Sequence, residues 1–258
     1  MKTLHIIYWI VIIPLMVALV SFAERESREK RCDDFVVEVQ YTGDDFLLTA
    51  EEVHEQVVKS MDSINGVPVT EIREAGIEAE IAKNPFVKQV KVYTTINGHC
   101  IAEVDQRKSI VKYIGKNGNS VYVDDTGILM PDRGSLPARV PVANGNFTLD
   151  VRNPETHQIG IEELQREDLD ALFRVAKFIN RDNTLFALVE QIYLNEEGEI
   201  ELVTKLGEHS VLLGKAGELE EKFNKLKIFY NNAMVRGGWR QYKQLNLKFK
   251  NQVVCKKH

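Results

Sequence analysis

The sequence predicts an α+β protein: an N-terminal transmembrane helix, a small β-α-α-β-β unit, then a mixed β-rich domain with two helices. Three observations predict it. The run Leu4–Ala23 holds 20 residues without Asp, Glu, Lys or Arg. Two short segments with helical spacing of apolar residues are then bracketed by alternating ones. From Ser109 the dominant period becomes two, broken by two helical stretches.

At about 1.5 Å per residue, Leu4–Ala23 spans roughly 30 Å, the thickness of a bilayer's hydrocarbon core. Pro14 is tolerated in a membrane helix, and Tyr8 and Trp9 suit its interface. Ser21-Phe22-Ala23 has the small–x–small pattern of a signal-peptidase site, but the apolar run exceeds the 7–15 residues of a signal h-region, which favours an uncleaved anchor. Only Lys2 precedes the run, whereas Arg25, Arg28, Lys30 and Arg31 follow it. Counted alone, these charges favour a cytoplasmic C-terminus; long domains translocate largely regardless of charge, which favours the opposite topology. The expected division is residues 1–3 as a cytoplasmic tail, 4–23 as membrane helix, 24–34 as juxtamembrane linker, 35–106 as the first unit and 107–258 as the second.

A net charge of −5 with 28% charged residues excludes a broad nucleic-acid surface. The three cysteines, Cys32, Cys100 and Cys255, have no CxxC or metal spacing and make no disulfide framework.

In the first unit, Phe35–Tyr41 reads as a strand. Thr49 and Glu52 form a capping box opening a helix with Val53, Val57 and Met61 in line and Val58 widening the stripe. A second helix sets Ile72, Ala75, Ala79 and Ala82 on one face and ends at Asn84-Pro85. Val90, Val92, Thr94 and Ile96 then alternate with polar residues, and Asn97-Gly98 turns into the strand His99–Val104.

In the second unit, Ile110–Ile114, Ser120–Asp124 and Ile128–Met130 read as hairpin strands, followed by an irregular crossing through Pro131, Gly134, Pro137 and Pro141. A helix covers Ile161–Asn180, a meander Ala187–Leu194, Glu199–Leu206 and Ser210–Leu213, and a last helix Glu218–Met234. Finally Leu245, Leu247, Phe249, Val253 and Cys255 alternate with Asn246, Lys248, Lys250, Gln252 and Lys256, with Asn251 interrupting the apolar series. This reads as one long closing strand. Either one of its edges is open to strand addition by a partner, or it is paired on both sides within the sheet.

The chain has no GxSxG, Walker A, GxGxxG or HExxH motif, and His5, His54, His99, His157, His209 and His258 have no ligand spacing. Asp125-Thr126-Gly127 spells the aspartic-protease tripeptide, but that chemistry needs a second carboxylate sharing the proton, and no second copy exists. Between two short strands it is ordinary turn sequence. Glu162-Glu163 and Glu196-Glu197 read as solvated charges. The expectation is a non-enzyme without metal or cofactor.

Four stretches carry a family resemblance: Asn84-Pro85-Phe86-Val87 with Val90 and Val92; Tyr122–Gly127 into Ile128-Leu129; Val211-Leu212-Leu213-Gly214 before the acidic Glu218-Leu219-Glu220-Glu221; and Leu245-Asn246-Leu247-Lys248-Phe249. In this order behind one anchor, the chain resembles the bacterial FtsQ/DivIB division proteins, whose first unit is a POTRA domain. It departs from them at Gln106-Arg107-Lys108-Ser109, where E-R-x-P is usual, and at Asn246, where Asp is usual. The resemblance implies a non-catalytic divisome scaffold in the cell inner membrane at the septum. It would recruit FtsB/DivIC- and FtsL-type membrane-anchored coiled-coil proteins and help control septal peptidoglycan synthesis. It implies a docking strand with Lys248 and Phe249 at the contact, Leu245 and Leu247 beneath and Tyr242 beside them. The competing readings are another POTRA protein handling outer-membrane or secreted clients, and an anchored hydrolase using Asp125.

Overall fold

The structure is a computed structural model that describes residues 12–16, 30–41, 46–61, 64–95, 97–134, 138–150, 159–234 and 241–258. The expected membrane segment lies outside the described residues except for the helical stretch 12–16. Among the described residues no helix is long and apolar enough to cross a membrane. The chain divides into two compact units. One holds Leu48–Ala82, Val87–Gln106 and the chain up to Gln40, and the other takes Tyr41–Leu47, Lys83–Phe86 and Arg107–His258.

The first unit contains β1 (Asp34–Gln40), α1 (Ala50–Met61), α2 (Glu74–Ile81), β2 (Val87–Thr94) and β3 (His99–Gln106). Its three strands order as β1-β3-β2, with β1 parallel and β2 antiparallel to the central β3. The capping box forms as read. Glu52 N–H donates to Thr49 Oγ1 at 3.2 Å and Thr49 N–H to Glu52 Oε2 at 3.3 Å, satisfying two orphan amides at the helix start.

Two stripes differ from expectation. In α1 only Val53 and Val57 are buried, while Val58 and Met61 are exposed, so the apolar face is narrower than the sequence suggested. In α2 the buried residues are Ile77 and Ile81, not the alanine face, and Ile72 lies before the helix. Two isoleucines four residues apart bring more apolar area to the sheet than three alanines, and that decides which face turns inward.

In the second unit, ten strands among the described residues form one sheet. They are β4 (Ser109–Ile114), β5 (Ser120–Asp124), β6 (Ile128–Pro131), β7 (Val142–Gly145), β8 (Ile159–Gly160), β9 (Val189–Leu194), β10 (Ile200–Thr204), β11 (Ser210–Gly214), β12 (Tyr242–Asn246) and β13 (Val254–Lys257). Their order is β13-β12-β11-β10-β9-β7-β4-β5-β6-β8. β7, which falls just beyond the irregular crossing in a stretch without strand periodicity, is the splice between β4 and β9 and runs parallel to both; of this sheet's other strand pairs only β11–β12 is parallel among the described residues.

Among the described residues three α-helices, not two, pack on this sheet: α3 (Glu167–Asn180), α4 (Asn183–Leu188) and α5 (Leu219–Phe229), the last running into a π turn at Tyr230–Met234. The short α4 occupies residues the alternation had assigned partly to a strand. The Asp182 side chain caps it by accepting from Thr184 N–H and Leu185 N–H. One core joins these helices to the sheet through Leu169, Leu172, Ile179, Leu185, Phe223 and Leu226. Phe178 and Phe223 stack at 4.9 Å across it, and Tyr113 Oη donates to Leu169 O at 3.0 Å.

The closing stretch is the main correction. It is a hairpin, not one long strand: β12 and β13 pair antiparallel with Leu245 opposite Cys255. Asn251, the residue that breaks the alternation, sits in the turn with φ +57°, a left-handed conformation that Asn tolerates better than most residues.

Candidate protein-interaction site

The five residues expected at a docking strand all lie on this hairpin or its turn. β12 is paired on both flanks, parallel to β11 with Val211 opposite Leu245, and antiparallel to β13. The strand singled out from the sequence therefore has no free edge. β13 takes that place. It ends the sheet, and no partner meets its outer flank among the described residues.

The side chains divide by role. Leu245 and Leu247 are fully buried, each contributing about 1.5–3 kcal/mol by leaving water. Tyr242 is half-buried and meets Phe229 edge to face at 5.6 Å. Lys248 stays exposed but lies along the sheet: its stem passes over Gly214, where an added Cβ would come within 2.8 Å of Lys248 Cγ. Its ammonium then pairs with Glu199 Oε1 at 2.6 Å. Phe249 is 46% exposed, a large apolar ring held out at the turn.

The turn itself is held from α5. Lys225 Nζ donates to Leu247 O at 3.0 Å and to Phe249 O at 2.7 Å. Glu221 Oε1 accepts from Asn251 N–H at 3.3 Å, and this amide, with Lys225 beside it, holds the Glu221 carboxyl below the usual carboxylate range. Two charged side chains of one helix thus fix the turn that presents Phe249.

The Asp-Thr-Gly turn has a different role from the one its spelling suggests. Asp125 is exposed, whereas the preceding Asp124 is fully buried and its oxygens are engaged. Asp124 Oδ2 accepts from Arg107 Nη1 at 2.7 Å, and Oδ1 accepts from Thr126 N–H, Thr126 Oγ1 and Ile128 N–H at 2.9, 2.7 and 2.8 Å. This carboxylate staples the β5–β6 turn to the start of β4. The Asp-Thr-Gly spelling points to Asp125, whereas the buried pair is Asp124 with Arg107, the one residue of Gln106-Arg107-Lys108-Ser109 that matches E-R-x-P. Among the described residues no cluster of His, Cys, Asp and Glu could hold a metal ion.

Comparison with known proteins decides the family. The family model described as FtsQ/DivIB, C-terminal related, matches residues 108–256, which is the sheet carrying the hairpin. The chain belongs to the FtsQ/DivIB family. Residues 30–105 match a POTRA-like domain, so the first unit of this FtsQ/DivIB protein is POTRA-like. The cell division protein FtsQ of Rhodothermus marinus is 25% identical over 197 residues, covering 74% of this chain and 68% of that protein.

Proposed function

We propose that this FtsQ/DivIB protein is a non-catalytic scaffold of the division machinery. It captures FtsB/DivIC- and FtsL-type coiled-coil proteins by strand addition and thereby helps control septal peptidoglycan synthesis. One observation carries the reading: the ten-stranded sheet stops at a flank of β13 that no described residue covers. An uncovered flank offers unpaired N–H and C=O groups, which give affinity to any extended segment, while alternate side chains set the register. Phe249 is the aromatic contact beside it. Residues 4–23 would anchor the chain in the cell inner membrane with the N-terminus cytoplasmic and both folded units on the far side, at the septum.

The test is site-specific photocrosslinking in dividing cells, with a photoreactive residue at Val254, at Lys256 or at Ile228, the last 61% exposed on α5. Crosslinks to the coiled-coil proteins from positions 254 and 256 and none from 228 are expected. The opposite pattern would remove β13 as the docking edge.

A further inference from the structure

The charge around the open edge is one-sided. Residues 241–258 contain five lysines, Lys243, Lys248, Lys250, Lys256 and Lys257, and no Asp or Glu, in a chain whose net charge is −5. At the turn end Lys248 is paired with Glu199 at 2.6 Å, and Lys250 lies near Glu221, whose ion pair is with Lys225 at 3.4 Å. Lys243, Lys256 and Lys257 are exposed at the other end and have no ion pair among the described residues. Within the sheet, Lys256 faces Gln244 and Lys257 faces Tyr242. From Gln244 the row of cross-strand neighbours continues through Ser210, Val203 and Gln191 without a carboxylate. Along this row no carboxylate stands across from Lys256 among the described residues, and the next position outward is the flank of β13.

The order of side chains along that flank sets the pattern of what fits. Val254 and Lys256 share one face of β13; Cys255 and Lys257 share the other, where Cys255 packs against the core. A strand laid alongside brings its side chains within about 5 Å of these, so unlike charges attract and like charges repel at directly opposed positions.

We propose that the segment taken up by β13 is an acidic strand of a partner protein, one that sets two apolar residues against Val254 and Cys255 and two carboxylates against Lys256 and Lys257. An antiparallel partner then reads acidic-acidic-apolar-apolar. This inference rests on the strand-addition reading above and adds the partner's chemistry to it. The charges set register and preference, and the backbone ladder supplies the holding force.

The test uses the purified full chain in detergent micelles and two fluorescent ten-residue peptides, identical except for Glu-Glu-Val-Ile or Lys-Lys-Val-Ile at the centre. Fluorescence anisotropy at low salt should show the acidic peptide bound at least about tenfold more tightly, with the preference shrinking by about 300 mM salt as screening shortens to a few ångströms. In the double variant Lys256→Glu with Lys257→Glu, whose exposed positions leave the fold untouched by circular dichroism, the preference should reverse. Equal binding of both peptides would overturn the acidic partner while leaving strand addition standing. Binding of neither, together with no crosslink from positions 254 and 256, would overturn strand addition itself. Phosphatidylglycerol vesicles bound as tightly as the acidic peptide, and released by the same double variant, would reassign the lysines to a lipid surface and overturn the proposal.

Discussion

At the scale of single residues, two positions separate structure from docking. Asp124 and Arg107 form a buried ion pair with side chains 1% and 8% exposed. Removing one partner leaves the other charge in a low-dielectric interior without compensation. Asp124→Ala should therefore lower unfolding stability by about 3–5 kcal/mol, read by chemical denaturation; a loss below about 1 kcal/mol would show that water compensates Arg107. Asp125→Asn, one residue on and exposed, should change stability by less than about 0.5 kcal/mol and leave division intact. Phe249 is the converse case. Its ring is largely outside the core while its carbonyl is held by Lys225. Phe249→Asp should weaken capture of the proposed coiled-coil partner about tenfold or more in a pull-down, with the thermal transition still cooperative. Unchanged capture would exclude the ring from the contact.

At the scale of elements, the two sheets treat their edges differently. β2 is an edge strand of the first unit, yet Val92 N–H donates to Glu78 Oε1 at 2.8 Å and Thr94 N–H to Glu74 Oε1 at 2.8 Å. Two carboxylates of α2 thus occupy amides that an incoming strand would need, which is how a natural edge is kept from pairing. The alanine substitutions Glu74→Ala and Glu78→Ala should free these amides and speed their hydrogen exchange about tenfold, for about 1.4 kcal/mol lost per bond. Protection left unchanged would mean that other groups cover this flank. β13 has no such cover among the described residues, and that contrast is why we propose docking at the second unit.

The hairpin β12–β13 also shows where sequence reading stops. Alternation persisted across Asn251 because a turn that reverses the chain can leave the apolar parity undisturbed on both sides. The antiparallel pairing of Leu245 with Cys255 and the positive φ of Asn251 distinguish two paired strands from one long strand. The capping box at Thr49 was legible because both partners lie within one helical turn. The face of α2 was not, since the sheet it meets is assembled from distant segments.

At the scale of the whole molecule, the order of units was readable from period and punctuation, and the architecture of the second sheet was not. Its continuity depends on β7, four residues reading Val-Ala-Asn-Gly, too short and too polar to register as a strand. Gly145 is required there by a backbone it meets only after folding: an added Cβ would lie 2.1 Å from Leu194 O. Such a constraint comes from parallel pairing to β9 and has no local signature. Besides Glu221 at the hairpin turn, two carboxylates of this unit, Asp132 and Asp182, are depressed by their partners and contribute to its acid response. Burial alone would raise Asp132, but Lys112 Nζ at 2.5 Å, Ser120 Oγ at 2.6 Å and Gly134 N–H at 3.1 Å together hold its carboxyl below the usual value. Lys227 Nζ at 2.8 Å, with the Leu185 and Thr184 amides, lowers Asp182 in the same sense. A carboxylate depressed on folding contributes stability that is present above its unfolded value, about 3.9, and is lost as pH falls through the lower folded value. The free energy of unfolding from denaturant titrations should therefore stay level from neutrality to about pH 5 in respect of these groups and fall below about pH 4. Asp132→Asn should be less stable at pH 7 and show a shallower acid decline. An equally steep decline in that variant would place the acid sensitivity on other carboxylates and leave the Lys112–Asp132 clamp without a part in it.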